Sequence, residues 1–129
     1  EIVVATARQP DKLNDLVLQY GVGQSPAEGT RILALPLDVT KSSDIQTAVS
    51  QAIATFGRID VLVNNAGYGV FGAVEEVSDA DVRRQFETNV YGALNVTRAV
   101  LPHLRRQRSG HILNISSSGG FIGFAGAGI

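Results

Sequence analysis

Apolar positions along this chain recur in runs of two alternating lengths. Ile2-Val3-Val4-Ala5-Thr6-Ala7 is a short β-branched run, the pattern of a strand buried on both faces. Pro10 then stands where a first helical turn tolerates it, and Leu13, Leu16, Val17 and Tyr20 follow at helical spacing, with Gly21 as the predicted stop. Residues 22–30, rich in Gly, Ser, Pro and Glu, read as a surface loop before a second strand, Arg31-Ile32-Leu33-Ala34-Leu35, that ends at Pro36 and Asp38. The rhythm then repeats. Ser42 or Ser43 is placed to cap a helix whose apolar face is Ile45, Ala48, Val49, Ala52, Ile53 and Phe56, with Gly57 past its end. Residues 59–63 form a third strand running into Asn64-Asn65-Ala66-Gly67.

Ser78-x-x-Asp81 has the form of a capping box, and Val77 with Val82 has the spacing of a hydrophobic staple. Helix formers continue from there almost to Arg106, with a kink or break predicted at Pro102. His111 to Ser116 is the fourth strand, and a Gly-rich tail covers 118–128. Strands alternating with helices, with Gly and Asn at the strand ends, predict an α/β fold with a doubly wound parallel sheet. No internal repeat and no interdomain linker interrupts it.

Composition narrows the chemistry. The chain has 129 residues, 44% hydrophobic and 18% charged, which is the balance of one folded domain. Eleven Lys and Arg against twelve Asp and Glu give a formal charge of -1, so neither a nucleic-acid footprint nor a polybasic membrane signal is present. There is no Cys, which excludes disulfides, thiolate metal sites and Cys nucleophiles. No apolar run approaches the ~20 residues of a spanning helix. The sequence opens at Glu1, without Met and inside an apolar run, so an internal piece of a longer chain is expected.

In an open parallel α/β sheet, ligands bind beyond the carboxyl ends of the strands. The residues there are Ala7-Arg8, Asp38-Val39, Asn64-Asn65-Ala66-Gly67 and Ser116-Ser117-Ser118. These are polar or small and include one cation, as a nucleotide site requires. Three motifs in order carry a resemblance to a known family. They are Asn64-Asn65-Ala66-Gly67 after Asp60-Val61-Leu62-Val63, then Asn89-Val90-Tyr91-Gly92, then Gly110-His111-Ile112-Leu113-Asn114-Ile115-Ser116-Ser117. In sequence and spacing they resemble the short-chain dehydrogenases/reductases, and the likeness covers essentially the whole chain.

The resemblance implies that 1–129 is part of a single NAD(P)-binding domain of Rossmann type, incomplete in these residues. Ser117 matches the serine that polarises the substrate carbonyl, and Asn89 the asparagine that holds a water in the proton relay. Asn65, Ala66 and Gly67 match the segment against the adenosine ribose, which also stiffens the neighbouring strands. Asp38 and Val39 match the pair at the adenine ring. Relatives that prefer NAD carry an acidic residue at the end of the strand that here ends at Ala7. Here Arg8 follows instead, suited to a 2′-phosphate by charge-assisted hydrogen bonds, so the implied cofactor is NADP, with Lys12 placed to assist.

Each residue also has a purely structural reading. Arg8 is equally a solvated charge at a strand end, Asp38 the cap of a turn, and Asn65 a partner for loop backbone. In the serine triplet, alternation sends Ser116 and Ser118 to one face and Ser117 to the other, so Ser117 rests on the family register. His103 and His111 have no second ligand at metal spacing, and Arg105, Arg106 and Arg108 suit a helix C-terminus.

Two family elements fall outside the sequence. The Gly-rich pyrophosphate turn, with the first strand, belongs before Glu1, and the Tyr-x-x-x-Lys pair beyond Ile129. Neither Tyr68 nor Tyr91 has a Lys four residues on. Without the first strand, the strands at Ile2 and Arg31 lack a bridge to those at Ile59 and His111, leaving two separate edges. The function implied is an NADP-dependent oxidoreductase of a carbonyl or secondary alcohol, cytoplasmic, a homodimer or homotetramer, with no nucleic acid and no membrane as partner. The alternative is a non-catalytic dinucleotide-binding sensor or scaffold that has lost the tyrosine. Tyr68, Val70 and Phe71, with Phe121 and Phe124, suggest walls for a hydrophobic substrate.

Overall fold

The computed structural model describes residues 2–20 and 31–128. The predicted stop at Gly21 and the loop 22–30 lie outside them. The chain runs β1 (Val3–Ala7), a 3₁₀ turn (Pro10–Leu13), α1 (Asn14–Tyr20), β2 (Ile32–Pro36), α2 (Ser42–Phe56) and β3 (Val61–Asn64). It continues through α3 (Asp79–Phe86), a π-helical stretch (Glu87–Gly92), α4 (Ala93–Gln107), β4 (His111–Asn114) and a 3₁₀ turn (Ser118–Gly120). Strand and helix alternate as the apolar rhythm predicts, and every strand pairing is parallel.

The strands form two separate two-stranded sheets, β1 with β2 and β3 with β4, in the registers Val3↔Ile32 and Val61↔His111. The expected lack of a bridge between the two pairs is therefore observed. Its consequence is visible in the side chains: Val3, Val61, Val63 and Leu113 are about half exposed. The expectation that the first strand is buried on both faces is not met within these residues, where Val3 and Thr6 are exposed and Val4, Ala5 and Ala7 are half-buried.

What joins the two sheets is the helix layer. Ile45 of α2 and Val96, Val100 and Leu104 of α4 form the buried core. Leu37 and Val39 beyond β2, Leu62 of β3 and Ile112 of β4 pack on it. Both core helices present one apolar stripe at i, i+3 and i+4 spacing, the geometry that seals a helix against a sheet.

Several boundaries differ from the sequence expectation, each for a local reason. The N-cap of α2 is Lys41, in extended conformation and without a side-chain cap, so Ser42 is already helical and Ser43 does not cap. The preceding residues are held instead by Asp38, whose carboxylate accepts from the Thr40 amide and hydroxyl, and by Asp44, which accepts from the Asp38 amide. Gly57 closes α2 in the left-handed conformation, as expected. Ser78 caps α3 by accepting from the Asp81 amide at 3.1 Å. The third strand occupies Val61–Asn64 rather than 59–63, because Ile59 is held by the Gln107 side chain at both its amide and its carbonyl. The fourth ends at Asn114, not Ser116: the last rung is the Ile115 amide on the Asn64 carbonyl, after which β3 has turned away.

The predicted break at Pro102 does not occur, since α4 runs through it. The irregularity lies upstream, at Glu87–Gly92. Gly92 has ordinary helical angles, but a Cβ there would sit 2.6 Å from Val39 Cγ2 and 3.0 Å from Val39 Cβ. Glycine is required at this point by close approach, not by φ. Helix propensity favours alanine by about 1 kcal/mol, whereas overpacking against a stiff β-branched side chain costs about 1–3 kcal/mol. Gly92→Ala is therefore expected to lower stability, by about 1 kcal/mol net, in urea unfolding. Adding Val39→Ala should recover part of that loss beyond additivity, and a stabilised Gly92→Ala would contradict the contact.

Candidate nucleotide and substrate site

Parallel pairing puts the carboxyl ends of each pair of strands on one side. Ala7 and Leu37 are joined there by the Leu37 amide on the Ala7 carbonyl, 3.0 Å, and Asn64 and Ile115 by the corresponding bond of the other sheet, 2.9 Å. Arg8, Asp38 and Val39 lie within three residues of the carboxyl ends of β1 and β2, and Asn65–Gly67 and Ser117 within three residues of those of β3 and β4.

Arg8 is exposed and makes no ion pair among the described residues. Asp38 is half-buried and already engaged: its Oδ1 accepts from the Thr40 hydroxyl at 2.7 Å and the Thr40 amide at 3.0 Å. The turn-capping reading of Asp38 is thus realised, and its Oδ2 faces Lys41 at 3.9 Å. The Thr40 hydroxyl and then its amide hold the carboxyl below its ordinary value, with smaller help from Lys41 and Arg8 and against a partial burial that opposes them. Because the folded value is depressed, this stabilisation is full well above 3.8 and is lost as pH falls through and below it. Asp38→Asn should therefore lower the denaturant midpoint at neutral pH and lose that deficit in acid. An equal deficit at both would show that charge is not involved.

Around β3 a set of amide side chains fixes the rim. Asn64 Nδ2 donates to Thr97 Oγ1 of α4 at 3.0 Å and to Asn114 Oδ1, its register partner on β4, at 2.8 Å. The Asn89 amide is bidentate on Tyr68, accepting from its N–H at 3.1 Å and donating to its carbonyl at 2.7 Å. One helical turn earlier, Gln85 Oε1 accepts from the Val70 amide at 2.7 Å. Asn65, Ala66 and Gly67 are exposed between these anchors, with their backbone at the surface. Thr97, Gln85 and Gln107 went unrecognised in the sequence: their partners lie 15 to 48 residues away, and no local pattern marks them.

Ser117 is exposed and extended at the N-cap of the last 3₁₀ turn, where its Oγ accepts from the Gly119 amide at 3.2 Å. That bond uses a lone pair and leaves the hydroxyl proton to be donated outward. Gly119 has Ser117 Oγ on one side and the Phe124 ring on another, 3.5 and 4.0 Å from the position a Cβ would take. The donor set suits a nicotinamide dinucleotide: a free guanidinium at one strand end, exposed backbone after β3, and a hydroxyl poised to donate after β4. Among the described residues no three His, Cys, Asp or Glu cluster to hold a metal, and no helix is long and apolar enough to cross a membrane.

Parallel strand pairs alternating with helices, with polar residues beyond the strand ends, are the architecture of the doubly wound nucleotide-binding folds. The sequence profile of the family described as short chain dehydrogenase matches residues 1–129, and the chain belongs to that family. Oxidoreductase BOA17 of Botryotinia fuckeliana is 44% identical over 124 residues, which cover 96% of this chain and 43% of that protein. A short-chain dehydrogenase from Streptomyces avermitilis superposes with a TM-score of 0.86 at 42% identity, over 98% of this chain and 45% of the other. A metagenomic short-chain oxidoreductase solved in complex with NADP superposes at 0.83 with 33% identity, over 98% and 55% of the two chains. The chain thus spans about half the length of these relatives or less.

Proposed function

We propose that these residues form part of the single dinucleotide-binding domain of an NADP-dependent oxidoreductase acting on a carbonyl or secondary alcohol. The observation that carries it is the Ser117 hydroxyl, held by the Gly119 amide with its proton free, at the same rim as the Asn89-anchored loop. Bound at this rim, the nicotinamide supplies or accepts the hydride. The chain's own part is orientation and charge. Ser117 donates to the substrate oxygen as negative charge develops there. Asn89 anchors Tyr68, and the second lone pair of its amide oxygen suits it to hold the water of a proton relay.

Arg8 supports NADP over NAD. It is a cation with no ion pair among the described residues, one residue past Ala7, the strand-end position where NAD-preferring relatives carry an acidic residue for the 2′-hydroxyl. Asp38 and Val39 border the adenine, with Asp38 kept ionised by Thr40, and Asn65–Gly67 flank the ribose. Phe86, Val90, Tyr91 and Leu94 are exposed on the helical stretch through α4, which supports a homodimer or homotetramer formed through these helices. A cytoplasmic location fits the cofactor.

The test is NADPH oxidation by the natural protein against a panel of aldehydes and ketones, with NADH in parallel. Turnover with NADPH preferred supports the proposal. Tight NADPH binding without turnover on any substrate would favour a dinucleotide sensor instead.

A further inference from the structure

Large apolar side chains stand exposed on the two loops beyond β3 and β4, among them Tyr68, Phe71, Phe121, Ile122 and Phe124. The loops are tied to each other, since Gly72 donates to the Gly126 carbonyl at 2.8 Å and Gly72 pairs with Ala127 as an isolated bridge. The first loop is also fastened to the helix layer by two amides one turn apart, Asn89 on Tyr68 and Gln85 on Val70. Gln85 is only 8% exposed, unusual for a glutamine, and a buried amide is tolerated where it is hydrogen-bonded. The Phe71 ring lies over Gly69, 3.6 Å from the position a Cβ would occupy there, so its placement follows the Gly69–Val70 backbone that Gln85 holds.

We propose that Gln85 is a positioning residue that sets substrate preference: by holding the Val70 amide it fixes the Tyr68–Phe71 segment as an apolar wall. The substrate class implied is a carbonyl compound or alcohol with an extended apolar body, gripped between this wall and Phe121–Phe124 while its oxygen lies at Ser117. This rests on the oxidoreductase reading of the rim. Loss of the acceptor leaves the half-buried Val70 N–H unpaired, and the wall loosens. Ser117 is held in its own turn by the Gly119 amide and not by the tie between the loops, and Tyr68 keeps its anchor on Asn89, so kcat and the cofactor contacts should change little. The effect falls on KM for substrates long enough to reach the wall.

The experiment is steady-state kinetics of the intact natural protein with butan-2-one and undecan-2-one at saturating NADPH. In Gln85→Met, KM for undecan-2-one should rise about tenfold. Its kcat, the butan-2-one KM and the NADPH KM should each stay within about twofold. Gln85→Glu keeps an acceptor for Val70 and should restore the long-ketone KM to within about threefold of wild type. Gln85→Asn, whose shorter amide stops short of Val70, carries the expectation of Gln85→Met if the latter does not fold. An equal loss with both ketones, or none with either, overturns the positioning role alone. A wild type that turns over neither ketone nor any other carbonyl overturns the oxidoreductase reading, and this inference with it.

Discussion

Ser117→Ala should lower kcat for carbonyl reduction about 10²–10³-fold while the KM for NADPH stays within about twofold. The hydroxyl is exposed, its one hydrogen bond among the described residues is to Gly119 in its own turn, and no packed neighbour depends on it. Its removal therefore leaves the fold intact and deletes a donor aimed at the developing negative charge. Stopped-turnover assays of the natural protein check this directly. Ser116→Ala and Ser118→Ala serve as controls and should cost less than about fivefold, since the donor role depends on position and not on serine content. A large loss in Ser116→Ala or Ser118→Ala with an active Ser117→Ala would move the role to a neighbour and overturn the register adopted here.

Arg8→Glu should weaken NADPH about 100-fold and leave NADH binding equal or better, reversing the preference. A charge-assisted hydrogen bond contributes about 1.5–3 kcal/mol, and a carboxylate in its place adds repulsion of the 2′-phosphate. Arg8 is exposed and has no ion-pair partner among the described residues, so the substitution disturbs little else. Arg8 weakly assists the ionisation of Asp38. Arg8→Ala should fall between, near tenfold, and the difference between NADPH and NADH should shrink at high salt. Titration of both nucleotides against wild type and variants reads all of this. Unchanged NADPH affinity in Arg8→Glu would return Arg8 to a solvated strand end.

Much of this architecture was legible because it is local. Ile45, Ala48 and Ala52 repeat at helical spacing and are buried on α2. The Ser78 cap and the Gly57 stop also depend on neighbours within a turn, and both formed. Boundaries set by distant partners were not legible. β4 stops where β3 stops, Ile59 is taken by Gln107, and Ser42 loses its capping role to a turn arranged by Asp38 and Asp44. Pro102 does not break α4, which continues through it. The real irregularity, at Glu87–Gly92, brings Gly92 against Val39, more than fifty residues away. The same holds for the site. Asn65, Asn89 and Ser117 were visible through motif and order, but the Gln85 amide and the Thr97 hydroxyl that brace the rim carry no local signature.

The most direct test of the oxidoreductase assignment is isotope transfer. The natural protein is mixed with a ketone and NADPH deuterated at its transferable position, and the product is read by mass spectrometry. Deuterium is expected on the carbinol carbon of the alcohol, with labelled alcohol formed more slowly by Ser117→Ala in proportion to its kcat. NADPH that binds at the rim yet gives no labelled alcohol from any ketone or aldehyde offered would contradict the assignment.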